Sequence, residues 1–443
     1  MHRPDRKSLL VSLLLTAPLF AAPEFHPEFH KDIEPLLQAH CQSCHRPGEI
    51  GPMPLLTYEN VRPWAKSIRQ AVLSRKMPPF FADNRVQHYN NDVSLSAAQI
   101  ETIREWVDAG APEGDPKLAP APRTFTDGWN IGKPDMVIEM PAAYKIPARG
   151  TVEYTYVILP TNFKEDMWVR ALEVRPTDRA RVHHIVLYER QANSKWLREY
   201  PKGVPFVPAP RPGTKQRSSD GDRLAEGSLA DEWLVAYVPG GAPYTLPEGT
   251  AFRIGAGSDF VLQLHYTTNG TPSSDLTKIG LAFSKTPPAK RAFIANVASD
   301  NFAIPPGAAN YTAKAQATLA TEARLLGAGP HMHLRGKAMS LRAVYPSGES
   351  ETVFDVPHYD FNWQQIYYLE NPKILPPGTK LEVMAAWDNS TNNRFNPDPK
   401  AEVRWGDQSW EEMLLATTAL EIEPNADLNK LFQRQSRAPA EPK

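Results

Sequence analysis

The spacing of apolar residues changes once along this chain, from a helical period to a strand period. Ile33, Leu36 and Leu37 share one face of a helix that leads into Cys41. Val61, Trp64, Ala65, Ile68 and Val72 form one stripe of a second helix over about 60–75. Asn60 is its expected N-cap, and Pro63 falls in the first turn, where proline is tolerated. A third helix opens at Ser96, with Gln99 completing a capping box and Leu95 and Ile100 placed as a hydrophobic staple. Ile103, Trp106 and Val107 continue that face, and Gly110 ends it as a C-terminal cap.

After a Pro-, Gly- and Ala-rich linker over 113–130 the helical period stops. Short β-rich runs follow at 152–159, 168–174, 182–188, 251–254, 260–267, 279–283, 338–345 and 380–387, bounded by Pro, Gly, Asn and Asp. Strands at this spacing predict antiparallel β-sandwiches. Three hundred or so residues exceed one sandwich core, so two are expected, over 131–286 and 287–430, with a tail at 431–443. The polar stretch 191–240 reads as a surface insertion. The expected fold is multidomain: a small all-α domain over 23–112, then two antiparallel β-sandwich domains.

Composition narrows the class. The chain has 443 residues, 41% of them hydrophobic, and a net charge of −1, so neither nucleic acid nor an anionic membrane surface is an expected partner. Its 44 prolines, about twice the usual share, argue against long helices. Residues 1–22 read as a signal peptide: Arg3, Arg6 and Lys7, a short apolar run, then Ala21-Ala22. An uncleaved anchor is the alternative; no later stretch could span a bilayer. The expected location is the bacterial periplasm or the exterior.

Export makes the two cysteines informative. An exported Cys pair usually forms a disulfide. Here Cys41-Gln42-Ser43-Cys44 runs directly into His45, the signature of covalent haem attachment. A thioredoxin-like pair is the alternative, but no βαβ pattern surrounds it. Three helices around such a motif resemble a class I cytochrome c, which implies one haem c with His45 as proximal ligand. Met77, in Lys76-Met77-Pro78-Pro79, is the expected distal ligand, with Met53 as runner-up.

Histidines carry the second chemistry. His331 and His333 are two apart in an extended segment and so share a face. Zinc, copper, nickel and iron all accept imidazole. His183 and His184 are adjacent. They can share an ion only if the strand is irregular there or the rings bind through different nitrogens. His265 lies in a separate apolar strand, where a lone histidine is usually a core residue. Together the three would make a copper or zinc site.

The order His-His, Leu-Gln-Leu-His-Tyr, His-x-His-Leu-x-Gly, then Trp-Gly followed by Glu-Met resembles the copper type II, ascorbate-dependent monooxygenases. Residues 359–364 and 375–378 add to the likeness. The resemblance covers about residues 135–425. It implies two jelly-roll-like sandwiches with two coppers facing across an open cleft. His183, His184 and His265 would hold an electron-storing copper; His331, His333 and Met413 would hold the catalytic copper, where O2 is activated and a small organic substrate is hydroxylated at C–H. A thioether in the second set favours Cu(I).

The chain departs from that family at several points. The peptide-hydroxylating members carry arginine where Gly329 stands, and Asn and Tyr where Leu415 and Thr417 stand, so a peptide C-terminal glycine is not the expected substrate. The fused haem motif implies that a periplasmic electron donor replaces ascorbate. The competing readings are a non-enzymatic periplasmic electron-transfer or copper-handling protein, and a binding module with structural zinc.

Overall fold

A computed structural model of the chain describes residues 26–126, 128–208, 231–239, 241, 243–406 and 408–433. The expected signal peptide lies outside the described residues. No described helix is long and apolar enough to cross a membrane.

The N-terminal helices are short: α1 (Glu34–His40), α2 (Tyr58–Val61), α3 (Ala65–Leu73) and α4 (Ala97–Asp108). They close on a core of Phe29, Ile33, Leu37, Ile68, Ile103 and Trp106. The capping box at Ser96 and Gln99 is present. The second expected helix differs. Its N-cap is Thr57, whose side chain accepts from the Asn60 amide, so Asn60 already lies inside the first turn. Pro63 sits in a 3-10 turn over Arg62–Trp64 that divides the expected helix into α2 and α3. These small helices do not by themselves define a cytochrome c fold.

The rest is mostly β-sheet. In chain order the strands are β1 (Met136–Glu139), β2 (Tyr144–Ile146), β3 (Thr155–Pro160), β4 (Met167–Arg175), β5 (Val182–Arg190), β6 (Asp231–Tyr237), β7 (Thr250–Ile254), β8 (Asp259–Tyr266) and β9 (Ser273–Asp275). Then come β10 (Lys278–Phe283), β11 (Lys290–Ala298), β12 (Tyr311–Thr318), β13 (Ala323–His331), β14 (Gly336–Val344), β15 (Ser350–Val356), β16 (Tyr367–Leu375), β17 (Lys380–Trp387) and β18 (Leu415–Ile422). One eight-stranded sheet, β1-β10-β4-β7-β11-β18-β13-β16, runs through both halves. A four-stranded sheet, β3-β8-β5-β6, faces its first half, and another, β12-β17-β14-β15, faces its second.

Each half has its own core. Leu172, Ile279 and Leu281 meet Val157, Ile185 and Leu262 in the first. Phe293, Leu325 and Leu420 meet Leu341, Phe354 and Trp387 in the second. The architecture is that of β-sandwich domains. The halves join where β7 and β11 pair in parallel, Thr250 opposite Lys290, so 285–288 falls in the loop just before the junction.

Two expectations change. Residues 231–237, read as part of a surface insertion, form β6 and pair with β5; the apolar run Trp233-Leu234-Val235 was its signal. Residues 80–89, expected within the helical domain, instead send Phe80, Ala82 and Tyr89 into the second sandwich core. Phe80 meets Tyr367 edge-on at 5.1 Å.

Candidate metal centres

The first cluster depends on a strand defect. β5 lies beside β8, with His184 opposite His265. The register slips between Val182 and His184, so His183 is the extra residue of a β-bulge. In a regular strand His183 and His184 would face opposite ways; here their Nδ1 atoms lie 3.0 Å apart. Ligand nitrogens of His183, His184 and His265 all fall within 4.8 Å of one another. The Tyr154 ring lies 4.4 Å from that of His265.

Electrostatics keep these rings neutral. Burial pushes His183 down to about 4 and His265 down to about 3. It also holds His184 well below its ordinary value, an effect that the nearby histidines of both clusters reinforce. His183 Nε2 and His265 Nδ1 are buried with no hydrogen-bond partner. Burying such groups unpaired is costly. Three neutral imidazoles with unused lone pairs fit a borderline-soft ion such as copper or zinc.

The second cluster sits at the end of β13. His331 is the last strand residue, opposite Leu415 of β18. His333 lies just beyond, so the pair is not one extended segment; its rings stand 5.3 Å apart at 86°. His331 Nδ1 lies 2.5 Å from Gln364 Oε1, and His333 Nδ1 lies 3.2 Å from the Glu411 carbonyl. Each Nδ1–H is thereby engaged, which leaves both Nε2 atoms for an ion. Burial lowers His331 to about 4 and His333 to about 3. Met413 is 7% exposed and lines the same cavity as both histidines.

Glu412 ties this cluster together. Its Oε1 accepts the Arg335 amide at 2.6 Å; its Oε2 accepts the His333 amide at 2.8 Å and Trp387 Nε1 at 3.0 Å. The residue before Met413 thus pins the loop that carries His333. Sequence reasoning gave Glu412 no role, although a carboxylate beside a run of buried apolar residues was a signal. Gln364 and Phe361 were also missed as partners. The Phe361 ring stacks on His183 at 5.4 Å and meets His333 edge-on at 6.2 Å. One side chain thus lies against both histidine sets.

The Cys41–His45 stretch lies close by, with Cys44 on the same cavity as both clusters. Cys41 and Cys44 are free thiols, and burial pushes Cys41 up to about 12. His45 Nδ1 donates to the Met53 carbonyl at 3.1 Å, leaving Nε2 available. Met53 packs against the helical core. Met77 is half-buried after α3, and its neighbours Pro78 and Pro79 face a cavity of about 910 Å3. Cys44, His183, His184, His331, His333 and Met413 line that same cavity. Glu49 clamps the motif loop to the first sandwich through Arg179 at 2.6 Å.

A β-sandwich protein with two histidine clusters on one cavity belongs to a narrow range of metal-site architectures. Comparison with known proteins narrows it further. Residues 291–400 match the sequence model of the "Copper type II ascorbate-dependent monooxygenase, C-terminal domain" family. The DBH-like monooxygenase protein 1 of Mus musculus and that of Gallus gallus are each 25% identical over 193 residues, covering 39% of this chain and 30% of theirs. The protein of that name from Homo sapiens is 21% identical over 354 residues, covering 71% of this chain and 53% of its own. The chain thus spans between 30% and 53% of the length of these relatives. Together the matches make the chain similar to the copper type II monooxygenases over part of its length.

Proposed function

We propose that this protein is a dicopper monooxygenase that hydroxylates a C–H bond of a small organic molecule, with electrons entering through a covalently bound haem. The observation that carries this reading is the shared cavity: two sets of buried, neutral histidines open onto it, in a chain that matches the copper monooxygenase C-terminal domain. His183, His184 and His265 would hold one copper; His331, His333 and Met413 would hold the other. Bound there, copper supplies one-electron chemistry and O2 activation. The protein's part is to hold the ligands neutral by burial, to orient His331 through Gln364 and His333 through Glu411 and Glu412, and to enclose the substrate away from water.

Cys41, Cys44 and His45 would hold the haem c. The two free thiols and the unused His45 Nε2 fit covalent attachment with axial ligation. The Met53 carbonyl accepts from His45 Nδ1. Met77, half-buried after α3, would be the second ligand. A haem here would supply single electrons from a periplasmic donor, and both histidine clusters open onto the cavity that Cys44 lines. The protein would work in the periplasm or outside the cell.

Substrate-stimulated O2 uptake by the copper-loaded, reduced protein tests the reading. Met413→Ala should abolish uptake while haem incorporation survives. Uptake by Met413→Ala at the wild-type rate would place the oxygen site elsewhere. Stopped-flow mixing of the reduced protein with O2 tests the haem: its oxidation should be fast with copper and slow without.

A further inference from the structure

One short segment, residues 359–366, touches both histidine clusters and the connection between α3 and α4. Tyr359 accepts the Met332 amide at 3.1 Å and donates to the Met332 carbonyl at 2.6 Å, between His331 and His333. Phe361 stacks on His183 at 5.4 Å and 25°, and approaches His265 at 6.3 Å and His333 at 6.2 Å. Gln364 accepts from His331 Nδ1 through its oxygen and donates to the Phe361 carbonyl at 3.0 Å through its nitrogen. One amide therefore fixes a ligand of one cluster and the backbone of the ring that rests on the other.

The far end of the segment reaches the connection between α3 and α4, which packs on the second sandwich. Gln365 donates to the Pro79 carbonyl at 3.0 Å, and Asn91 donates to the Ile366 carbonyl at 2.8 Å. The Asn91 side-chain oxygen also accepts the Tyr368 amide at 3.0 Å. On the sheet beneath, a Cβ at Gly329 would overlap the Gln365 carbonyl. Only glycine lets the segment lie this close to β13, two residues before His331.

We infer that Phe361 is a positioning residue that sets the separation of the two metal sites, and that residues 359–366 are a strap holding this spacing against the connection over 79–91. This rests on the two-site reading above. An aromatic ring packed between two ligand sets resists compression and leaves a void if removed. Its neighbours Tyr359 and Gln364 keep it from swinging away. Pro79 and Asn91, at the two ends of the connection over 79–91, grip the strap from the other side.

Pulsed EPR of the oxidised, two-copper protein reads the spacing directly. Wild type should give one narrow copper–copper distance distribution. Phe361→Ala should broaden it at unchanged copper content, and Phe361→Tyr should restore it. Gly329→Ala, which pushes the strap off β13 without touching a ligand, should broaden it as well. Hydrogen exchange of the metal-free protein gives a readout that needs no copper: Phe361→Ala should speed exchange in 182–184 and 331–335 together, while the exposed Phe395→Ala changes neither. An unchanged distance distribution in Phe361→Ala, or faster exchange in only one of the two segments, overturns the inference. Failure of the wild type to bind two coppers would instead refute the two-site reading, with the exchange experiment still deciding the strap.

Discussion

Replacing Glu412 by alanine is the sharpest test of how the second cluster is held. The carboxylate accepts three protein donors, the amides of His333 and Arg335 and the indole N–H of Trp387. His333, Arg335, Trp387 and Glu412 are all at most 1% exposed, so water cannot take its place. Leaving one buried donor unsatisfied costs about 1–3 kcal/mol. Three donors within one network do not add fully, so the loss should be about 3–6 kcal/mol. Spread over a unit of this size, that is a fall of roughly 10–20 °C in the unfolding midpoint. Thermal unfolding of the metal-free protein measures it, with the surface variant Glu423→Ala as control. Glu412→Gln keeps an acceptor and should lose less. If the Glu412→Ala midpoint lies within a degree or two of the control, Glu412 does not organise the His333 loop.

Three further outcomes follow from other groups. Glu232 is buried beside Arg291, and burial raises its carboxyl from 4.5 to about 8. A folded-state value above the unfolded one means stability that is complete below the ordinary carboxyl range and is lost as pH rises through about 8. The wild-type midpoint should therefore fall across that pH, and Glu232→Gln should flatten the fall. Exchanging both Cys41 and Cys44 for serine should leave no haem on a denaturing gel while copper content is unchanged; haem that stays attached would mean another anchor. His183→Ala should remove one copper and leave the other, since His331 and His333 belong to a separate set.

The sequence carried the fold where one face of an element is wet. β17 alternates buried and exposed positions and was read at its observed limits of 380–387. β18 is buried at every position, with Leu420 in the sandwich core and Thr417 on the cavity, so it shows no alternation to read. β6 was missed because its apolar run follows a long polar stretch. The helix at 60–75 was placed by its apolar stripe, but its start was not, because Thr57 and Asn60 are both good caps and only backbone geometry separates them.

The site was legible to the same degree. The adjacent pair His183-His184 posed a definite condition, an irregular strand, and the bulge at His183 meets it. No one-dimensional pattern announced that bulge, since it arises from pairing with β8. His331 and His333 were read as sharing a strand face; the strand ends at His331, and their rings stand 5.3 Å apart. Gln364, Glu412 and Phe361 could not be found by spacing. Their partners lie between 25 and 178 residues away in sequence, and only the sheet topology brings them there.

Metal analysis of the exported, purified protein, with X-ray absorption of its reduced form, tests the central claim most directly. The account predicts one iron and two coppers per chain, and a copper–sulfur shell that disappears in Met413→Ala. Zinc in place of copper, or no second metal in protein from copper-replete cells, would contradict it.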